Sequence, residues 1–186
     1  MWDGDSMSET VRLVTAEELE KLPGDDYRYE LVEGRVIRMS PVGYLHGRVV
    51  VNLATLLNQH VKARRLGVVL TEVGFKLASH PDTVRAPDIA FIAAGRLPPD
   101  PRGFWHGAPD LAVEVLSPDD RPSDIRLKVA EYLTRGVALV AVIDPDAQTI
   151  AVHRPPAVHT VVRSGELLDL DPVVPGFHCT VTEIVG

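Results

Sequence analysis

The sequence predicts an α/β fold of the mixed (α+β) kind, a central mixed β-sheet with helices packed against it. Three observations lead there. One long segment, Leu45–Leu66, carries apolar residues at helical steps. Several shorter segments have strand character and are bounded by Pro, Gly or Asp. The elements do not alternate strand and helix as a doubly wound nucleotide-binding sheet does, and no glycine-rich phosphate loop is present.

In chain order, Thr15-Ala-Glu-Glu supplies a capping box for a short helix, closed by Pro23-Gly24-Asp25-Asp26. Tyr27–Glu33 and Arg35–Ser40 read as a hairpin turning at Glu33-Gly34. In Leu45–Leu66 the stripe Val49, Leu53, Leu56, Leu57 and Val61 marks one buried face, with Gly67 as the stop. Val68–Leu77 and Thr83–Ala93 read as strands, and 94–109, rich in Pro and Gly, as a loop. Asp110–Leu116 is apolar on both faces, the pattern of a strand buried within a sheet. Ser123–Arg135 is a helix stopped by Gly136, and Leu139–Asp144 with Thr149–Arg154 forms a second hairpin. From Ala157 onward the chain gives short strand-like pieces with a turn at Ser164-Gly165.

At 186 residues and 45% hydrophobic content the chain can bury one core and is short for two domains. The expected division is a disordered or extended lead over 1–9 and a single domain over 10–186. A lone cysteine, Cys179, excludes an internal disulfide and a cysteine-based zinc site. No apolar run reaches the roughly 20 residues of a membrane helix, and the acidic start does not resemble a secretory signal. A cytoplasmic protein is the expectation.

The net charge of −7 argues against a protein that coats DNA electrostatically. The distribution is uneven. From Gly34 to Thr71 there is no acidic residue, while Arg35, Arg38, Arg48, Lys62, Arg64 and Arg65 are basic. A solvated helix face explains this as well as a phosphate-facing surface does.

Glu114, in Leu-Ala-Val-Glu-Val-Leu, demands an explanation, because a carboxylate in a buried strand costs several kcal/mol unless a proton, partner or cation compensates. Asp88, in Ala-Pro-Asp-Ile-Ala-Phe-Ile, poses the same problem. Either acid alone reads more simply as a strand-end group capping a loop. As a pair at the ends of neighbouring strands they suit a hard cation such as Mg²⁺. Lys128 lies at the margin of the following helix, where Ile125, Val129 and Tyr132 or Leu133 mark the buried side. On its own it is a surface lysine; beside a metal-bound water it would orient that water or neutralise a phosphoryl oxygen.

The ordered series Tyr29-Glu-Leu-Val-Glu-Gly34, His46, Arg85-Ala-Pro-Asp88, Pro109-Asp-Leu-Ala-Val-Glu-Val-Leu-Ser-Pro118, Lys128, Tyr132, Gly136-Val137 and Asp144-Pro145 resembles the Uma-type endonuclease family of the PD-(D/E)xK superfamily. The resemblance spans about residues 10–184. It implies a restriction-endonuclease-like fold and metal-dependent hydrolysis of nucleic-acid phosphodiesters, with Mg²⁺ or Mn²⁺ as cofactor. It also implies Asp88 and Glu114 as metal ligands with the Val115 carbonyl as a third, Glu30 as an assisting acid, and His46 as a recurrent residue without an assigned role. One departure matters: the superfamily's lysine would fall at Leu116, so the resemblance assigns the amine to Lys128. Arg48, Arg64 and Arg65 are the candidate backbone-holding cations. Nucleic acid, DNA before RNA, is the expected partner, and a homodimer the expected assembly. The alternative is a non-catalytic nucleic-acid- or protein-binding module retaining the nuclease fold.

Overall fold

The computed structural model describes residues 12–22, 27–100, 102–156 and 158–186. The expected lead over 1–9 and turn at Pro23–Asp26 lie outside these residues. Thr15 caps α1 (Ala16–Glu20), its hydroxyl accepting from the Glu18 N–H while the Glu18 carboxylate returns to the Thr15 N–H. The antiparallel hairpin β1 (Arg28–Val32) and β2 (Arg35–Met39) follows. Then comes α2 (Tyr44–Arg64), whose residues Val49, Leu53, Leu57 and Val61 recur every four positions and are fully buried. Its stop differs from expectation. Arg65 takes the left-handed conformation (φ 57°), and Gly67 instead opens β3 (Gly67–Leu70). A Cβ at Gly67 would stand 1.9 Å from the Ile92 carbonyl oxygen, so glycine is required there by close approach of two strands.

The two long strands expected over 68–77 and 83–93 are each broken. The first divides into β3 and β4 (Phe75–Ala78), the second into β5 (Thr83–Arg85) and β6 (Ile89–Ala93). Glu72 turns in the left-handed region (φ 58°) at the first break, and its N–H donates to the Pro87 carbonyl in the second. At these two points the chain crosses between sheets. After a 3₁₀ turn at Ala94–Arg96 and the short β7 (Trp105–His106), the chain forms β8 (Leu111–Val115), α3 (Pro122–Thr134), β9 (Leu139–Asp144), β10 (Thr149–Arg154) and β11 (Val158–Arg163). It ends with β12 (Leu167–Asp169), β13 (His178–Thr180) and α4 (Val181–Val185).

One sheet has the order β2-β1-β5-β4-β7, a second β11-β10-β9-β8-β6-β3, with β8 and β9 its parallel pair, and β12 and β13 form a small third. The fold is thus mixed α/β with helices flanking mixed sheets, though the strands are shared among three sheets rather than one. Helix α2 packs on one face of the six-stranded sheet, against residues such as Ile89, Val113, Val115 and Ile143. Helix α3 covers the other, where Val129 and Tyr132 meet Ala112, Val140 and Val142. The closing helix was missed in the sequence although Thr180-x-x-Glu183 repeats the capping signature of Thr15-x-x-Glu18.

Candidate active-site cleft

Strand alternation aims Glu114. Val113 and Val115 point to α2, so Glu114 shares with Ala112 the face covered by α3. On α3, Lys128 and Tyr132 are one turn apart and straddle it. The Lys128 amine donates to Oε2 at 2.9 Å and the Tyr132 hydroxyl to Oε1 at 2.7 Å. Both oxygens of a carboxylate only 7% exposed are therefore held.

Asp88 sits in the second break, just before β6. Its Oδ2 accepts the Val115 N–H at 2.7 Å and its Oδ1 lies 3.1 Å from His46 Nε2. His46 is placed by α2, three residues before Val49 on the same inward stripe, and its Nδ1 is 3.2 Å from the Ser117 hydroxyl. Asp88 is thus fixed to the strand that carries Glu114, with a backbone amide and an imidazole as its partners.

Glu30 arrives from the other sheet. Its Oε1 accepts the Ala86 N–H at 3.0 Å and lies 3.1 Å from the Lys128 amine; its Oε2 accepts from Arg85 at 2.9 Å. Arg85 continues to Glu131 on α3 at 2.6 Å. Lys128 consequently stands between Glu30 and Glu114, tying the two sheets together. A cleft of about 30 Å³ opens between the β1–β2 hairpin, at Arg28 and Met39, and the trio Asp88, Glu114 and Lys128.

The description "Putative restriction endonuclease", that of the Uma2 family, matches residues 16–182. The chain belongs to the Uma2 family. A crystal structure from Anabaena variabilis ATCC 29413, described as a "putative nuclease belonging to DUF820", matches with a TM-score of 0.81 and 25% identity, covering 92% of this chain and 97% of that one. No curated protein matches the chain.

The electrostatics of the Uma2 cleft are unbalanced. Four carboxylates (Asp88, Glu114, Glu30, Glu131) surround two cations (Lys128, Arg85), leaving two negative charges in excess when every carboxyl is ionised. Burial pushes the Glu114 carboxyl up to about 7; Lys128 opposes this, while Asp88 and Glu30 reinforce it. Burial also works on Glu30, but Lys128 and Arg85 outweigh it and hold that carboxyl below its ordinary value. For Lys128, burial works against the charge and is overcome by Glu114 and Glu30, so the amine stays protonated. Tyr132 is raised by burial and by Glu114, and remains a neutral donor.

The atoms that Asp88 and Glu114 could offer a cation are carboxylate oxygens. The Val115 N–H points to Asp88 and the Leu116 N–H to Ile143 on the opposite side. The Val115 carbonyl leaves the strand on the Asp88 side, as a residue's N–H and C=O do in a β-ladder. Among the described residues no group of three or more His, Cys, Asp or Glu forms a ready metal cage. Two carboxylates and a carbonyl are nonetheless a donor set suited to a hard cation that keeps several waters.

Of the residues singled out in the sequence, Asp88, Glu114, Lys128, Glu30 and His46 converge on the cleft. Arg48, Arg64 and Arg65 do not. Arg48 donates to the Val185 carbonyl and, with Asn52, satisfies the end of α4. Arg64 and Arg65 lie at the far end of α2, roughly 27 Å from His46 at 1.5 Å per residue. Arg85 and Ser117 have no role legible in the sequence, where Tyr132 reads as core packing before chemistry. Arg85 was visible inside Arg-Ala-Pro-Asp, but nothing local distinguishes it from a surface arginine.

Proposed function

We propose that this Uma2 chain hydrolyses nucleic-acid phosphodiester bonds with a divalent cation, Mg²⁺ or Mn²⁺, held by Asp88 and Glu114 with the Val115 carbonyl. The observation that supports it best is the meeting of Lys128 with Glu114 and Glu30 beside Asp88, in a cleft that carries two negative charges in excess once every carboxyl is ionised. A bound cation supplies an activated water and a polarised phosphate there. The chain's own groups do the rest. Asp88, fixed by the Val115 N–H and His46, keeps its orientation without reorganisation. Glu114, with its carboxyl near 7, releases its proton when positive charge enters beside it. Lys128 carries a fixed positive charge to where negative charge develops on the phosphate. Tyr132 and Glu30 hold Glu114 and Lys128 in place.

DNA before RNA is the substrate we propose, and a two-fold homodimer the assembly, which light scattering checks. One observation favours a non-catalytic module: both Glu114 oxygens already have donors from the chain. Incubating the purified protein with plasmid, linear duplex, single strands and RNA, in Mg²⁺, Mn²⁺ or chelator, separates the readings. Cleavage that needs metal and disappears in Asp88→Asn is expected. Absence of cleavage on every substrate, with no thermal stabilisation by Mn²⁺, would leave the binding module standing.

A further inference from the structure

We infer that the β1–β2 hairpin is the nucleic-acid grip of this cleft, with Arg35 and Arg38 on phosphates of the backbone. The inference rests on the nuclease reading and supplies the cations that Arg48, Arg64 and Arg65 do not. Strand β2 is the outer edge of the five-stranded sheet, and the hairpin forms one wall of the cleft through Arg28 and Met39. Register decides the faces. Glu30 pairs with Ile37 and Val32 with Arg35, so Arg35 lies on the cleft face with Glu30. Arg38 pairs with Tyr29 on the opposite face, its guanidinium 3.8 Å from the centre of the Tyr27 ring. A guanidinium held over a ring can still present its N–H fork to a phosphate.

Charge points the same way. The two arginines that reach the cleft residues are neutralised: Arg28 by Glu72, and Arg85 by Glu30 and Glu131. Among the described residues Arg35 and Arg38 have no carboxylate partner, and Glu33, at the turn, forms no ion pair with either. Both are exposed, and β2 contains no acid. Their Cα atoms are roughly 10 Å apart at 3.3 Å per residue, so they reach separate phosphates. An edge strand guarded by arginines also discourages pairing with another strand.

The test measures binding of a labelled DNA duplex across a salt series in a cleavage-silent Asp88→Asn background. The double change Arg35→Ala with Arg38→Ala is expected to weaken binding and to lower the slope of log K against log [salt] by about two. Lysine at both positions should restore the slope. Arg64→Ala with Arg65→Ala should leave it unchanged. An unaltered slope in the Arg35/Arg38 double variant overturns the inference, as does the absence of any duplex binding in the background. Conversion of a dimer to a monomer by the same pair, with DNA affinity intact, would make β2 an interface between copies and overturns it too. Cleavage by the wild type with an unaltered slope sinks the grip and keeps the nuclease; a lost slope without cleavage does the reverse.

Discussion

Glu30 and Glu114 are both buried, 3% and 7% exposed, and both touch the same lysine, yet their carboxyls move in opposite directions. Glu30, from the five-stranded sheet, meets a second cation in Arg85 and a backbone amide at Ala86. Glu114, from the six-stranded sheet, has only a neutral phenol beside the lysine, and Asp88 and Glu30 repel its charge. Burial is common to both; the count of positive partners is what differs. Glu30 is accordingly a fixture that joins the sheets, whereas Glu114 retains capacity for one more cation.

The largest expected effect comes from exchanging their roles. Glu114→Gln should abolish cleavage and the rise in melting temperature with Mn²⁺, while Glu30→Gln keeps most of that rise. Thermal shift measurements giving the opposite ranking would break the contrast. Next is Lys128→Ala, which should lower single-turnover cleavage by roughly 10²-fold or more with the metal response retained. Without metal the same change leaves buried Glu114 with no cation partner, while Glu30 keeps Arg85, and should cost about 3–5 kcal/mol in urea unfolding. Arg126, exposed on α3, should tolerate alanine with neither effect.

The pH dependence of the metal-free protein sharpens the comparison further. Glu114 holds its proton in the folded state up to about 7, against 4.5 for an ordinary glutamate. Its contribution is complete below 4.5 and is lost as pH rises through 7, a fall of up to about 3 kcal/mol. Glu30, with a lowered carboxyl, contributes above 4.5 and loses that contribution as the solution is acidified. Urea midpoints between pH 4 and 9 should show the alkaline fall in the wild type and not in Glu114→Gln. The smallest effect belongs to Tyr132→Phe. Loss of the hydroxyl that holds Glu114 Oε1 should cost about 1–2 kcal/mol without changing the overall fold by circular dichroism.

The legible residues were those whose neighbours contradicted them. An acid inside Leu-Ala-Val-Glu-Val-Leu has no inexpensive place to go, so Glu114 announced itself, and Asp88 did so for the same reason. Glu30 was named through family resemblance, because an acid in an alternating strand is normally a solvent-side residue. Tyr132 fits the apolar stripe of α3, and its hydroxyl leaves no trace in periodicity. The basic stretch from Gly34 to Thr71 was visible as charge, but it divides between a hairpin at the cleft and a helix that carries Arg64 and Arg65 away from it.

Periodicity and composition alone determined the amphipathic α2, the buried β8, the capped α1 and the mixed α/β class, because each depends on contacts between residues near in sequence or on a solvent preference carried by every side chain. Tertiary structure alone decided that 67–78 and 83–93 each cross between sheets. Glu72 and Gly74 mark the first break and Pro87 the second, but such residues interrupt a strand without saying that the chain changes sheet; the direction of the backbone is set by Glu72 in the left-handed region, its bond to the Pro87 carbonyl and the amide held by Glu30. Tertiary structure also decided which lysine is buried: Lys128 is drawn inward by two carboxylates that lie 98 and 14 residues away, and attraction across such separations is written in no local window.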